Sequence, residues 1–159
     1  MSYLLAQDAP NGKQGKAFIT LHKDTGEEIH ELFSAKKINM KVDYTKTDFK
    51  VIGTTTIQKK TTGASKTGTM TIYQGTPLFI EMAREYEANG KVLYFDLQVT
   101  NEDPSTSIGK QTIAYYDCSL DSIPLSILDA DADFLEEEVG LSYRAFEVLS
   151  TFNNPATLG

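Results

Sequence analysis

Lys37-Ile38-Asn39-Met40-Lys41-Val42-Asp43-Tyr44-Thr45 alternates a large apolar side chain with a polar or charged one at every step. A strand sends successive side chains to opposite faces. Ile38, Met40, Val42 and Tyr44 therefore share one face, and Lys37, Asn39, Lys41, Asp43 and Thr45 share the other. One apolar and one wet face is the pattern of an antiparallel sheet packed on a single side. The rhythm recurs at Leu93, Phe95, Leu97 and Val99, set against Tyr94, Asp96 and Gln98. Ala114, Tyr116, Cys118 and Leu120 form a third row. Ile113 and Tyr115 are apolar on its reverse, so that strand is expected to be covered on both sides. Val139, Leu141, Tyr143 and Ala145 make a fourth row, until Phe146 and Val148 change parity. Shorter strands are expected at 17–22, 29–33, 69–73 and 123–128.

Only one segment has helical spacing. Leu78, Phe79, Met82, Ala83 and Tyr86 form a stripe, with Glu81, Glu85 and Glu87 elsewhere on the cylinder. Thr76 can cap this helix, Pro77 suits its first position, and Asn89-Gly90 supplies a left-handed stop. The spacing predicts a helix over 77–89, with its stripe laid on a sheet. Asp24-Thr25-Gly26 reads as a tight hairpin turn, and 101–109, with Pro104, as a polar loop. Residues 45–68 are rich in Thr, Ser, Gly and Lys, with few large apolar residues beyond Phe49, Val51, Ile52 and Ile57. A long polar loop is expected there, and loose termini at 7–14 and 153–159. The 159 residues fit one domain.

Charge and composition narrow the function. The net charge of −7 opposes nucleic-acid binding, which needs a basic surface. The charge is divided along the chain. Residues 1–70 hold eleven lysines against seven acidic residues (+4), and residues 71–159 hold four basic residues against fifteen acidic (−11). Either the halves mix on folding, or oppositely charged faces meet between subunits. No apolar stretch reaches the roughly 18 residues needed to cross a bilayer as a helix. The first ten residues lack a signal-peptide pattern, and a lone Cys118 cannot form an internal disulfide, so synthesis in the cytoplasm is the expectation.

Candidate chemistry is sparse. Asp129, Asp131 and Asp133 have the spacing of the first ligands of a calcium loop. Phe134 stands where that loop needs Gly, and Gly140 where it needs a bidentate Glu. The sequence Gly63-Ala64-Ser65-Lys66-Thr67-Gly68 lacks the Lys and Ser or Thr that follow the second Gly of a phosphate loop. His22 and His30 have no partner at metal-ligand spacing. Cys118, in an apolar row, reads as a structural thiol, and the carboxylates Asp117 and Asp121 flank it without a nucleophile or base. No catalytic residue, cofactor or metal ligand is expected.

The stretch Lys59-Lys60-Thr61-Thr62-Gly63-Ala64-Ser65-Lys66-Thr67-Gly68-Thr69-Met70-Thr71-Ile72-Tyr73 resembles a segment of the PBSX-type tail tube proteins of contractile phage tails. Downstream, the same order of elements is matched at 94–98, 112–118, 128–139 and 143–148, so the resemblance covers 55–150. It implies a β-sandwich or small barrel of two packed antiparallel sheets with one flanking α-helix, spanning 1–159 as a single tail-tube domain. It also implies hexameric rings stacked into a hollow inner tube, in a phage tail or a phage-tail-like bacteriocin. The expected partners are other copies of the chain, a sheath protein, and baseplate, initiator and terminator proteins, with DNA as passing cargo that is not bound. The place of action would be the virion tail, after synthesis in the bacterial host cytoplasm. Two alternatives remain beside it: a carbohydrate- or lipid-binding β-barrel, although the chain has no Trp, and a type VI secretion-like tube. Within the tube reading, a basic segment carrying Ile57, Lys59, Lys60 and Lys66 is expected to meet the acidic run Asp129, Asp131, Asp133, Glu136, Glu137 and Glu138 of the next ring. The competing reading is that these lysines only keep the segment soluble.

Overall fold

The structure is a computed structural model that describes residues 5–8, 15–23, 25–32, 35–74, 77–102, 104 and 106–153. After a 3-10 turn at Ala6–Asp8 come strands β1 (Gly15–Lys23), β2 (Gly26–Glu31), β3 (Ala35–Phe49) and β4 (Gln58–Tyr73). Helix α1 (Leu78–Asn89) follows, then β5 (Phe95–Glu102), β6 (Lys110–Ser122), β7 (Glu136–Ser142) and β8 (Ala145–Ser150). All pairings are antiparallel. The order is β2-β1-β5-β6-β7-β4-β3, with β8 also on β6, and the sheet does not close. The fold is therefore mainly β with one helix, open rather than a barrel closed within one chain.

Strand β6 divides the sheet. Its first part lies between β5 and β8, and its last residues pair with β7. The two groups on either side of it share one core. Ile19, Leu21, Phe95 and Leu97 from one group join Met70, Ile72, Val139 and Leu141 from the other, all at 0–1% exposure. Each such side chain contributes roughly 1.5–3 kcal/mol by leaving water. Helix α1 adds Phe79 and Met82 to the same core.

The division rests on a bulge. Cys118 pairs with Phe95 and Tyr115 with Leu97, so Tyr116 and Asp117 together oppose Asp96. Asp117 takes φ 53, and its N–H donates to Asp96 Oδ1 at 3.1 Å. The extra residue reverses parity. Ile113 and Tyr115 belong to the core before the bulge, and Cys118 and Leu120 after it. The single row Ala114, Tyr116, Cys118, Leu120 expected from alternation is thus two half-rows.

Other boundaries move for local reasons. The expected strand over 139–148 is two strands, broken at Tyr143 and Arg144, which explains the parity change at Phe146. Residues 123–128 form no strand: Pro124 brings no N–H, and Leu125 and Leu128 are exposed. The helix starts at Leu78, with Pro77 outside it, and Gly90 (φ 66) stops it by donating its N–H to Tyr86 O at 2.7 Å. Tyr86 is exposed, so the buried stripe is narrower than its spacing suggests. The capping role expected of Thr76, the Asp24 end of the first turn, and the terminal stretches 9–14 and 154–159 lie outside the described residues.

The expected polar loop over 45–68 is mostly β-ribbon. Pairing of β3 with β4 runs from Val42↔Lys66 to Phe49↔Gln58, with one register shift at Thr62 between Thr45↔Gly63 and Lys46↔Thr61, leaving only 50–57 outside the strands. Threonine suits a pleated surface. Cross-strand pairs supply the rest: Thr47 Oγ1 and Thr62 Oγ1 lie 3.2 Å apart, and Lys59 Nζ is 2.6 Å from Asp48 Oδ1. Low apolar content signalled a missing core beneath these residues, and strand pairing does not require one.

Gly68 marks where the ribbon enters the body. A Cβ there would lie 2.3 Å from Met40 Sδ and 3.1 Å from the Asn39 carbonyl oxygen. We expect Gly68→Ala to destabilise the chain by about 1–3 kcal/mol. The loss should be smaller when measured in a Met40→Ala background, because the closest clash is then gone. Urea unfolding of the four chains of this cycle checks it; equal losses in both backgrounds would show that the clash is not the cause.

Candidate assembly interface

Beyond Val42 and Lys66 the β3–β4 ribbon leaves the body. Residues 43–65 are exposed along both strands and through the connecting 50–57 segment. In β4 only Thr67 to Tyr73 pair with β7, so 58–66 have β3 as their sole strand partner among the described residues. At about 3.3 Å per residue the arm extends roughly 20 Å. It carries Tyr44, Phe49, Val51, Ile52 and Ile57, all at least 41% exposed. An isolated two-stranded hairpin is marginal in water, and exposed apolar side chains concentrated on one make it a candidate contact surface.

The root of the arm is fixed by the residues that separate β7 from β8. Tyr143 donates its N–H to Lys66 O at 3.2 Å and its hydroxyl to Lys41 O at 2.8 Å. Lys66 Nζ donates to Arg144 O at 3.0 Å. The Tyr143 ring meets Tyr115 edge-on, with centroids 5.0 Å apart. No local sequence signal pointed to Tyr143 and Arg144 as anchors, since their partners are about 80 to 100 residues away. Lys66 is accordingly part of the root. Lys59 is engaged by Asp48 of its own arm, and Lys60, opposite Thr47, is exposed.

The acidic run sits at the other end of β4. Tyr73, the last residue of β4, pairs with Glu136. The Phe134 ring packs edge-on against Tyr73 at 6.1 Å, and Gln74 donates its N–H to Leu135 O at 2.9 Å. Asp129, Asp131 and Asp133 are exposed in the connection leading to β7, and Asp129 Oδ1 accepts the Asp131 N–H at 3.0 Å. Glu136 binds Lys36 Nζ at 2.6 Å, which holds the ammonium above its usual pKa, and Glu138 is exposed. Glu137 departs from expectation. It occupies the core-facing position next to Val139, is 1% exposed, and cannot touch another subunit from there. Neither of its carboxylate oxygens has a hydrogen-bond partner among the described residues, and burial pushes its pKa up.

Cys118 is fully buried; burial first, then the Asp96 and Asp117 carboxylates, push its thiol up to about 12. It is held as the unreactive thiol that its apolar row suggested.

The sheet is unclosed, its outer strands have no second strand partner among the described residues, and a basic ribbon projects from it; these are features of a structural subunit rather than of a catalyst. The chain's relatives specify which. A family model described as phage tail tube protein matches residues 2–150. The protein XkdM of the phage-like element PBSX from Bacillus subtilis (strain 168) is 34% identical over 145 residues, covering 91% of this chain and 93% of that protein. The chain belongs to the phage tail tube protein family and is a structural subunit of such a tube. Two solved structures share the fold. One is the sheath–tube complex of an extracellular contractile injection system (PVC) in its extended state, with TM-score 0.65, 12% identity, and 92% of this chain and 95% of that chain covered. The other is the SPP1 tail tube, with TM-score 0.60, 11% identity, and 91% and 80% covered.

The buried carboxyl gives a pH signature. Because the folded pKa of Glu137 is raised, its contribution to stability is complete below the unfolded carboxylate value of about 4.3 and is lost as pH rises through the folded value. Glu137→Met should therefore stabilise the chain by about 1–3 kcal/mol at neutral pH. The gain should shrink on acidification towards pH 4. Denaturant melts across pH test this, and a difference between the two chains that ignores pH would contradict it.

Proposed function

We propose that the chain forms hexameric rings that stack head to tail into the inner tube of a contractile phage tail or a phage-tail-like particle. The separation of charge along β4 carries this reading. The arm holds Lys46, Lys50, Lys59 and Lys60 against Asp43 and Asp48, while 129–138 hold six acids and no base. These groups flank opposite ends of one strand; from Lys60 to Tyr73 the strand spans roughly 40 Å. A subunit that is basic at one end and acidic at the other favours heterologous stacking, which propagates as a filament.

In this reading the exposed Asp129, Asp131, Asp133 and Glu138 receive the arm of the next ring, with Glu136 beside them. Ile57 and its apolar neighbours supply the adhesion. Single exposed ion pairs contribute about 0–1 kcal/mol, and repetition around a ring adds them and sets register. Pairing of outer strands between neighbours within a ring removes the open edges. The role is structural rather than enzymatic. A sheath outside, and baseplate, initiator and terminator proteins at the ends, complete the particle. DNA passes through without being held, because the net charge of −7 per chain opposes it.

Lys46→Glu with Lys60→Glu reverses the sign of the arm's net charge, from +2 to −2, and leaves the Lys59–Asp48 pair intact. Negative-stain microscopy should show hollow rings and long tubes for the parent chain, and rings with short or no tubes for the variant. Tubes of normal length from the variant would remove the electrostatic part of the proposal. Monomers that never assemble from the parent would remove the ring itself.

Hydrogen exchange gives a second check. Amides of 43–65 should exchange fast in isolated rings and become protected in tubes, because the arm has no core until a neighbour provides one. Equal protection in both states would place the arm's partner within the ring.

A further inference from the structure

His22 of β1, Asp96 of β5 and Asp117 of β6 are distant in sequence and converge at the bulge of β6. One ligand atom from each lies within 4.8 Å of the other two. His22 Nε2 is 3.0 Å from Asp96 Oδ2, and the other Asp96 oxygen accepts the Asp117 N–H. On the far side of the imidazole, Nδ1 is 3.6 Å from Glu27 Oε1. All three converging residues are half-buried.

We propose that this cluster is a binding site for a divalent transition-metal ion, with zinc the best match. One imidazole nitrogen and two carboxylates form a mixed N/O donor set that suits zinc, whereas calcium and magnesium take oxygen ligands. Zinc bonds of about 2.0–2.1 Å at a tetrahedral angle separate two ligand atoms by about 3.3 Å. The His22–Asp96 spacing of 3.0 Å is close to this, so both atoms can bind one ion with little movement. Water would take the fourth position. Adjacent strands β1, β5 and β6 present the donors, and the inserted residue of the bulge is itself the third ligand. Glu27, 3.6 Å from the second nitrogen, needs only a small side-chain shift to make the hydrogen bond by which a carboxylate orients a metal-bound histidine. Arg144 competes: its Nε is 2.5 Å from Asp117 Oδ2, but its side chain is 69% exposed and the contact leaves the other carboxylate oxygen for the ion. A bound ion would pin the three strands where β6 passes from β5 to β7.

Zinc titrated calorimetrically into the full-length, chelator-treated chain should bind at one site per chain. It should raise the melting temperature, reversibly with EDTA. His22→Ala should lose the site. Glu27→Gln should weaken it about 10–100-fold. His30→Ala should keep it, although His30 also sits 3.0 Å from a carboxylate, that of Glu28. Circular dichroism of the metal-free variants separates lost binding from lost fold. Should His22→Ala not fold, Arg144→Ala tests the site with the opposite sign, since removing the competing guanidinium should tighten binding several-fold. Cobalt, as a stand-in, should give the visible absorption of a four-coordinate ion. No binding by the parent chain, equal binding by His22→Ala, or weaker binding by Arg144→Ala would overturn the assignment.

Discussion

An antiparallel sheet that does not close leaves the outward N–H and C=O groups of its edge strands to find partners elsewhere, and among the described residues this chain has such edges at β2, β3 and β8. The body can fold because β6 turns the sheet over on itself and encloses Phe95, Leu97, Ile72 and Leu141. Folding does not remove the edges. A structural subunit of a tube meets the same constraint by association, and the outer strands are the natural place for it. The protein is thus stable inside and incomplete outside, and both properties come from one topology.

Strand β4 joins the two conditions. Its second half buries Met70 and Ile72 and lies between β3 and β7; its first half lies over no core at all. The change occurs within a few residues, at a clamp made by Tyr143, Arg144, Lys41 and Lys66. A rigid root gives the arm a defined direction, and the arm's apolar residues stay exposed within the chain. The acidic connection packed on Tyr73 sits at the opposite end of the same strand, so one covalent element sets the separation of the basic and acidic regions.

The carboxyl groups within the body contrast with one another. Glu137 is enclosed beside Val139 without a partner among the described residues and is a cost to stability at neutral pH. The acidic groups around the β6 bulge are engaged instead: Asp96 by His22 and by the Asp117 amide, and Asp117 by Arg144. The bulge therefore has two effects, redirecting the core row and gathering donors from three strands.

Alternation at 37–45 and 93–99 made β3 and β5 legible, and the Pro77 and Gly90 signals made α1 legible, because side-chain periodicity and terminal chemistry are local properties. The resemblance carried by 59–73 identified the family from residues alone. Alternation failed at Tyr116 and Asp117, since an inserted residue is visible only against its partner strand. It failed at 45–68 as well, where a ribbon without a core carries no apolar pattern. Acidity alone could not separate Glu136 and Glu138 from Glu137; strand parity relative to Val139 decides that. The sequence by itself determined that this is a mainly β chain with one helix and a divided charge. Tertiary structure alone decided which lysines are tied to their own chain, which acid is buried, and that His22 meets Asp96 and Asp117. Strand pairing between distant segments creates those relations, and no spacing along the chain encodes them.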